Sequence, residues 1–292
     1  MTPGTAASLR RWTPLLWIVP AALVLLPFFF LPLVLLFRNS LNRDDPMLLM
    51  VPDFTAINYI KALSDPFYLQ LFANTIGAAL FVAVIATIIA YPFSYFISRY
   101  ARRSIGLVVW AVYMPLFVSV IVRVFGWMIV LADSGLLNAM LLKLHFLQTP
   151  LRLLFEVDGM LIGMVHRYLP LAILPLFNAM KKIPDELHRA SANLGATPSG
   201  VIRDVVFPLS VPGIVISLQL TFAGALSDFV LPQVLGSPRF RMLAPAIYAE
   251  ATTNLSTAMA ATLAVLMLVF IIALLGASGY LVKRLTPWMT AR

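Results

Sequence analysis

The sequence predicts an all-α integral membrane protein with six transmembrane helices, on three observations. Of its 292 residues, 61% are hydrophobic and 11% charged, where soluble domains carry about 25% charged residues. The apolar residues fall into runs at 14–37, 71–97, 105–131, 159–180, 208–235 and 259–282. Each is long enough, at about 1.5 Å rise per residue, to cross about 30 Å of hydrocarbon as a helix. The Lys and Arg residues crowd into alternate loops, as the positive-inside rule requires.

The elements follow in chain order: a cytoplasmic N-terminus at 1–13, a first span at 14–37, a periplasmic loop at 38–70, a five-span core at 71–282 and a cytoplasmic tail at 283–292. Arg10 and Arg11 precede the first run, as basic residues precede a signal peptide. The run is longer than a signal h-region, so it is expected to stay as a span. The 38–70 loop is polar and acidic in places (Asp44, Asp45, Asp53, Asp65), and 132–158 and 236–258 are expected to carry short interfacial helices. The spans contain Pro92, Pro115, Pro170, Pro175 and Pro232. Each removes a backbone hydrogen bond and favours a kink, through ordinary irregularity of the bundle or as part of a gate.

Orientation follows from the loops. One side carries Arg10, Arg11, Arg99, Arg102, Arg103, Lys181, Lys182, Arg189, Arg203, Lys283, Arg284 and Arg292. The other carries Arg38, Arg43, Lys61, Lys143, Arg152, Arg239 and Arg241 on longer loops. The denser side is expected to be cytoplasmic, with both termini inside. This distribution accounts for the net charge of +9 without nucleic acid.

Residues 181–207 form the longest internal cytoplasmic loop. Pro184 suits a first helical turn, and Leu187, Ala190, Ser191 and Leu194 then make a narrow face of small and apolar side chains. Gly195 fits the left-handed position that closes a helix. Thr197 is placed to cap a second helix with Pro198 at its first position, and Val201, Ile202, Val205 and Val206 line one side before Pro208 breaks into span five. Such a loop serves either as a docking site for another protein or as an amphipathic helix on the lipid headgroups.

Ala190-Ser191, Gly195 and Pro208 thirteen residues on resemble the EAA loop of ABC importer permeases. That motif runs Glu-Ala-Ala, three residues, Gly, then a hydrophobic stretch ending in Pro. The resemblance covers nearly the whole chain and looks closest to spermidine/putrescine-type permeases, through Arg43-Asp44-Asp45, Asn58-Tyr59, Asp65-Pro66, Tyr91-Pro92-Phe93, Ile121 to Gly126, Thr149 to Arg152 and Asp228-Phe229-Val230 with Pro232 and Gly236. It implies a type I importer fold, in the inner membrane, forming half of a solute path. Residues 186–194 would be the coupling helix, held by a cytoplasmic ATPase dimer whose closure on ATP and Mg drives alternating access. The implied partners are a second permease in a heterodimer, the ATPase dimer, a periplasmic solute-binding protein and membrane lipid. The family's Glu falls on Arg189, with Glu186 one turn earlier as a substitute. The implied solute is a polyamine.

Charges within spans are costly, at least about 2.5–3.5 kcal/mol each at the centre. Arg123, His166, Arg167 and Asp228 all fall in the outer halves of their spans, where one polar layer would hold them. They form either a structural ion pair, Asp228 with Arg167 or Arg123, or a layer lining the solute path. A polyamine calls for a lining dominated by acidic and aromatic groups; two Arg against one Asp do not favour a bare cation, and a carboxylate-bearing or amino-acid-like solute fits them as well. Phe28, Phe29, Phe30, Tyr91, Phe93, Tyr95, Phe117 and Trp127 fit such stacking, or contact lipid.

The chain has no G-x-x-x-x-G-K-[ST] run, no H-E-x-x-H, no Gly-x-Ser-x-Gly and no Cys, and His145, His166 and His188 are scattered. It is therefore expected to bind no metal or cofactor and catalyse nothing itself. A secondary transporter acting alone would call for inverted repeats or broken-helix pairs. A membrane enzyme would need catalytic groups at one depth.

Overall fold

The computed structural model describes residues 4–45, 49–100 and 104–285. Of the charges used for orientation, the side chains of Arg10, Arg11, Arg102, Arg103, Lys283, Arg284 and Arg292 lie outside the described residues. In chain order the elements begin with α1 Gly4–Ser40, β1 Arg43–Asp45, β2 Leu49–Val51, α2 Ile57–Ser64, α3 Pro66–Tyr100, α4 Ile105–Phe117 and α5 Val120–Leu131. They continue with α6 Leu136–Lys143, α7 Val157–Lys181, α8 Asp185–Asn193, α9 Pro198–Val201, α10 Phe207–Leu226, α11 Val230–Leu235, α12 Leu243–Thr252 and α13 Thr257–Leu285. A π-helical turn, Ile202–Val206, joins α9 to α10. Among the described residues, six segments are long and apolar enough to cross a membrane: Val19–Ser40, Pro66–Tyr100, Val120–Lys143, Val157–Lys181, Pro198–Leu226 and Thr257–Tyr280.

The chain divides into two compact units, one of Met1–Ser64 with Ile247–Met267, the other of Asp65–Ala246 with Leu268–Arg292. In the first, β1 and β2 pair antiparallel, with Arg43 opposite Val51. This hairpin stands in the stretch expected to be a periplasmic loop. The Asp44 carboxylate, carried on β1, accepts the backbone N–H groups of Ala258 (2.9 Å) and Met259 (3.0 Å). It thereby caps the start of α13 from far upstream in the chain. Thr262 Oγ1 donates to the Ser40 carbonyl at 3.0 Å, and Asn58 Nδ2 to the Asn42 carbonyl at 2.9 Å.

The second unit is built on α3, α7 and α10, which pack closely on one another. Small residues permit this approach: Ala79, Ala83, Ala86 and Ala90 of α3 and Ala172 of α7 are buried. A Cβ built on Gly213 of α10 would lie 2.5 Å from that of Ala179 in α7. Hydroxyls link the helices where no water is available to do so. Thr87 and Ser217 meet at 3.1 Å, Tyr91 and Ser210 at 3.2 Å, and Ser94 donates to the Ile173 carbonyl at 3.1 Å. Pro92 sits inside α3, and Pro170 and Pro175 inside α7, without ending either helix.

Three expected features differ. Span 105–131 is two helices, broken at Val118–Ser119, and α4 alone, at about 20 Å, is too short to cross. The apolar segment of crossing length in this region is Val120–Lys143, which takes in α5, a short turn and α6. Pro115 lies in the last turn of α4, and the break leaves carbonyls that Arg123 takes up. Span 208–235 ends at Leu226 and resumes as α11, because Asp228 supplies hydrogen bonds that a continuous helix would make internally. Pro208 does not interrupt the chain's entry into span five. The π turn absorbs it, with the Phe207 N–H reaching back to the Ile202 carbonyl, so the helix passes over a residue that has no N–H to give.

Candidate functional site

The loop after α7 folds as the residue pattern requires. Pro184 stands at the N-cap of α8, one position before the first turn rather than within it, and Asp185 and Glu186 occupy that turn. The other end closes in a Schellman motif: Ala196 N–H donates to Ser191 O (3.1 Å) and Gly195 N–H to Ala192 O (2.9 Å), with Gly195 at φ +84°. Thr197 Oγ1 accepts the Gly200 N–H at 3.2 Å, with Pro198 at the first position of α9. Val201 and Val206 are buried and Ile202 and Val205 half-buried, which gives the expected apolar side; Pro208 lies in the first turn of α10.

α8 turns its expected narrow face outward. Leu194 is 89% and Leu187 43% exposed, Ala190 is exposed and Ser191 half-buried. Glu186 and Arg189 are also exposed. The inward side of the helix carries His188, which is buried. Its Nδ1 lies 3.4 Å from the Pro184 carbonyl, and its Nε2 has no hydrogen-bond partner. Burial pushes this imidazole below its ordinary pKa; the Pro184 carbonyl opposes that shift and Arg99 adds to it. Arg99, in the last turn of α3, forms an ion pair with Asp185. Neither Arg99 nor Asp185 stood out in the loop pattern. An acid in a helix's first turn was the available signal.

Of the four intramembrane charges, Arg167 and Asp228 form an ion pair, while Arg123 bonds elsewhere but lies within electrostatic reach of both Arg167 and His166. Arg167 Nη1 lies 3.7 Å from Asp228 Oδ1, with the Asp228 side chain only 1% exposed. Asp228 Oδ1 accepts the Val230 N–H at 3.1 Å and caps α11. Asp228 Oδ2 and Arg167 Nη1 are buried without hydrogen-bond partners. On the other side of the break, Tyr168 OH donates to the Gly224 carbonyl at 2.7 Å. Arg123 donates to the carbonyls of Pro115 and Val118 and so closes α4; of the two ion-pair partners expected for Asp228, it is Arg167 that is found. His166 receives the Trp127 Nε1–H at 3.4 Å, the rings 5.3 Å apart and edge-on. Tyr168, which the sequence pattern did not single out, satisfies a carbonyl on one side of the break as Asp228 satisfies an N–H on the other. Phe28, Phe29 and Phe117 are exposed at 77%, 64% and 88%.

Residues 74–287 match the model of the family described as binding-protein-dependent transport system inner membrane component. The chain is 29% identical over 213 residues to the spermidine/putrescine transport system permease protein PotB of Escherichia coli K12, covering 73% of this chain and 77% of that protein. It is 30% identical over 281 residues to the inner membrane ABC transporter permease protein YdcU of the same organism, covering 91% and 87%. With the putative 2-aminoethylphosphonate transport system permease protein PhnU of Salmonella typhimurium, identity is 27% over 245 residues, covering 82% of each. Among solved structures, a bacterial ABC transporter involved in the import of alginate superposes with a TM-score of 0.78 at 16% identity, over 95% of this chain and 97% of that one. The MetNI methionine ABC transporter gives 0.57 at 17%, over 76% and 99%. The fold is that of a type I ABC importer permease, and the chain belongs to the binding-protein-dependent transport system inner membrane component family, the multi-pass permease subunits of ABC importers in the inner membrane.

Proposed function

We propose that this permease imports a polyamine of the spermidine or putrescine kind by alternating access, as half of a heterodimer with a second permease. Two ATPase subunits inside would hold ATP and Mg, a periplasmic binding protein would deliver the solute, and both termini would lie in the cytoplasm. The similarity to PotB, at 29% over 213 residues, carries the choice of solute. α8 is the coupling helix in this reading, gripped through Leu187, Ala190, Ser191 and Leu194. Glu186 stands in for the carboxylate that Arg189 replaces, and Gly195 and Pro208 set the angle at which the helix is presented. Asp228 supplies the negative charge of the path, with Arg167, Arg123 and His166 around it.

A second reading is favoured by one observation: Arg167 beside Asp228 offers both signs of charge, suited to a solute bearing an amine and an acid. The similarity to PhnU points the same way. Proteoliposomes holding the full complex and its binding protein distinguish the two. Import of labelled putrescine or spermidine, with KM raised by Asp228→Asn, supports the first reading. Import of 2-aminoethylphosphonate or an amino acid instead supports the second. Gly195→Trp should abolish transport-coupled ATP hydrolysis while membrane insertion persists, and normal stimulated hydrolysis in that variant would refute the role given to α8.

A further inference from the structure

We propose that the Arg99–Asp185 ion pair is a third attachment of α8 to the bundle, through which movement of α8 reaches α3 as well as α7 and α10. This rests on the reading of α8 as the coupling helix. Two attachments are covalent: residues 182–184 join α8 to the end of α7, and 194–197 lead through α9 and the π turn into α10. α3 has no such connection, since Arg99 lies 86 residues before Asp185. Yet α3 is the third member of the packed core, and a bundle that tilts as a body must carry it along.

The pair stands where both charges are favoured. Arg99 is in the last turn of α3, whose carbonyl end attracts a cation, and Asp185 is in the first turn of α8, whose N–H end attracts an anion. With side chains 20% and 29% exposed, the two are less screened than a pair in open water. The neighbouring His188, kept uncharged by burial, adds no cation to compete with Arg99. Arg99 and Asp185 are positioning residues, which touch neither solute nor nucleotide. Without them α3 follows α8 only indirectly, through its packing and hydroxyl hydrogen bonds to α7 and α10, and hydrolysis continues while import lags.

The chain contains no cysteine, so a pair introduced at these two positions is the only thiol pair in it. The full complex carrying Arg99→Cys and Asp185→Cys is reconstituted, and the number of solute molecules imported per ATP hydrolysed is measured, with putrescine or whichever of the two candidate solutes it imports. The ratio is expected to fall by about one-and-a-half- to fivefold, the scale of a partly exposed ion pair. A short bismaleimide bridge should restore it, and Arg99→Lys should keep the wild-type ratio. An unchanged ratio in the cysteine pair, or a low ratio after bridging, overturns the proposal. If the cysteine pair does not assemble, Asp185→Asn gives the same comparison. Gly195→Trp, run alongside, separates the two ideas. Normal stimulated hydrolysis there removes the coupling role of α8 and this link with it. Lost hydrolysis there, beside a wild-type ratio in Asp185→Asn, removes the link alone.

Discussion

Gly213→Ala tests how closely α7 and α10 approach. The added Cβ would lie 2.5 Å from Ala179 Cβ and 3.0 Å from the Pro175 carbonyl oxygen, where ordinary contacts need about 3.5–4.0 Å. Neither neighbour is the end of a flexible side chain, so the helices must part by roughly 1 Å. Overpacking of this kind costs about 1–3 kcal/mol, while Gly to Ala in a helix interior returns about 1 kcal/mol. The clash prevails because both obstacles are fixed to backbone, leaving a net loss of up to about 2 kcal/mol. That corresponds to a melting midpoint up to about 8 °C lower for the detergent-solubilised protein. Gly77→Ala is the control: a Cβ there meets nothing within 4 Å, so only the helix preference acts and the midpoint holds or rises. Combining Ala179→Gly with Gly213→Ala removes one obstacle and should cost less than the two single changes added together. A Gly213→Ala protein that melts as high as Gly77→Ala would refute the close approach.

Tyr168→Phe should lower the midpoint through a loss of about 1–3 kcal/mol, since the Gly224 carbonyl loses its 2.7 Å donor in a buried place; an unchanged midpoint would mean that the break does not need the hydroxyl. Asp44→Ala frees two N–H groups at the start of α13 and should cost about 0.5–2 kcal/mol, seen as faster amide exchange at Ala258 and Met259, with unaltered exchange the contrary result. For His188 the sign follows from its lowered pKa. Its unfolded form, with a pKa of about 6.5, binds a proton before the folded form does, so stability is lost as pH falls below that value. The drop in midpoint between about pH 7.5 and pH 5.5 should be larger in wild type than in His188→Gln, and equal drops would rule the residue out as a source.

The crossings were legible because hydrocarbon imposes one requirement, a long apolar helix, that composition reveals directly. The turn at Gly195 was legible for a different reason: a left-handed residue after a helix leaves few choices besides glycine. The breaks at Val118–Ser119 and Ser227–Phe229 were not. A hydropathy pattern sees apolar side chains on both sides of each and cannot see that Arg123, Tyr168 and Asp228 satisfy the interrupted backbone. Arg123 and Asp228 were conspicuous as polar groups in an apolar setting, but the sequence suggested that they face one another, whereas most of their hydrogen bonds go to the main chain; Tyr168 did not stand out. The π turn was hidden similarly, because Pro208 announces a missing bond without saying how the chain routes around it. Arg99 and Asp185 are too far apart in sequence for spacing to pair them.

Asp44 leaves its β-hairpin to hold the first amides of α13, a helix that begins more than two hundred residues later. During synthesis the carboxylate is therefore made first and waits until the segment it must receive has followed it out of the ribosome. The final crossing thus cannot reach its finished form by local events alone. A nascent chain stalled before Thr257 would hold an acid without its amides, and maturation of this region would show as a late step, delayed in Asp44→Ala even where all six crossings insert on time.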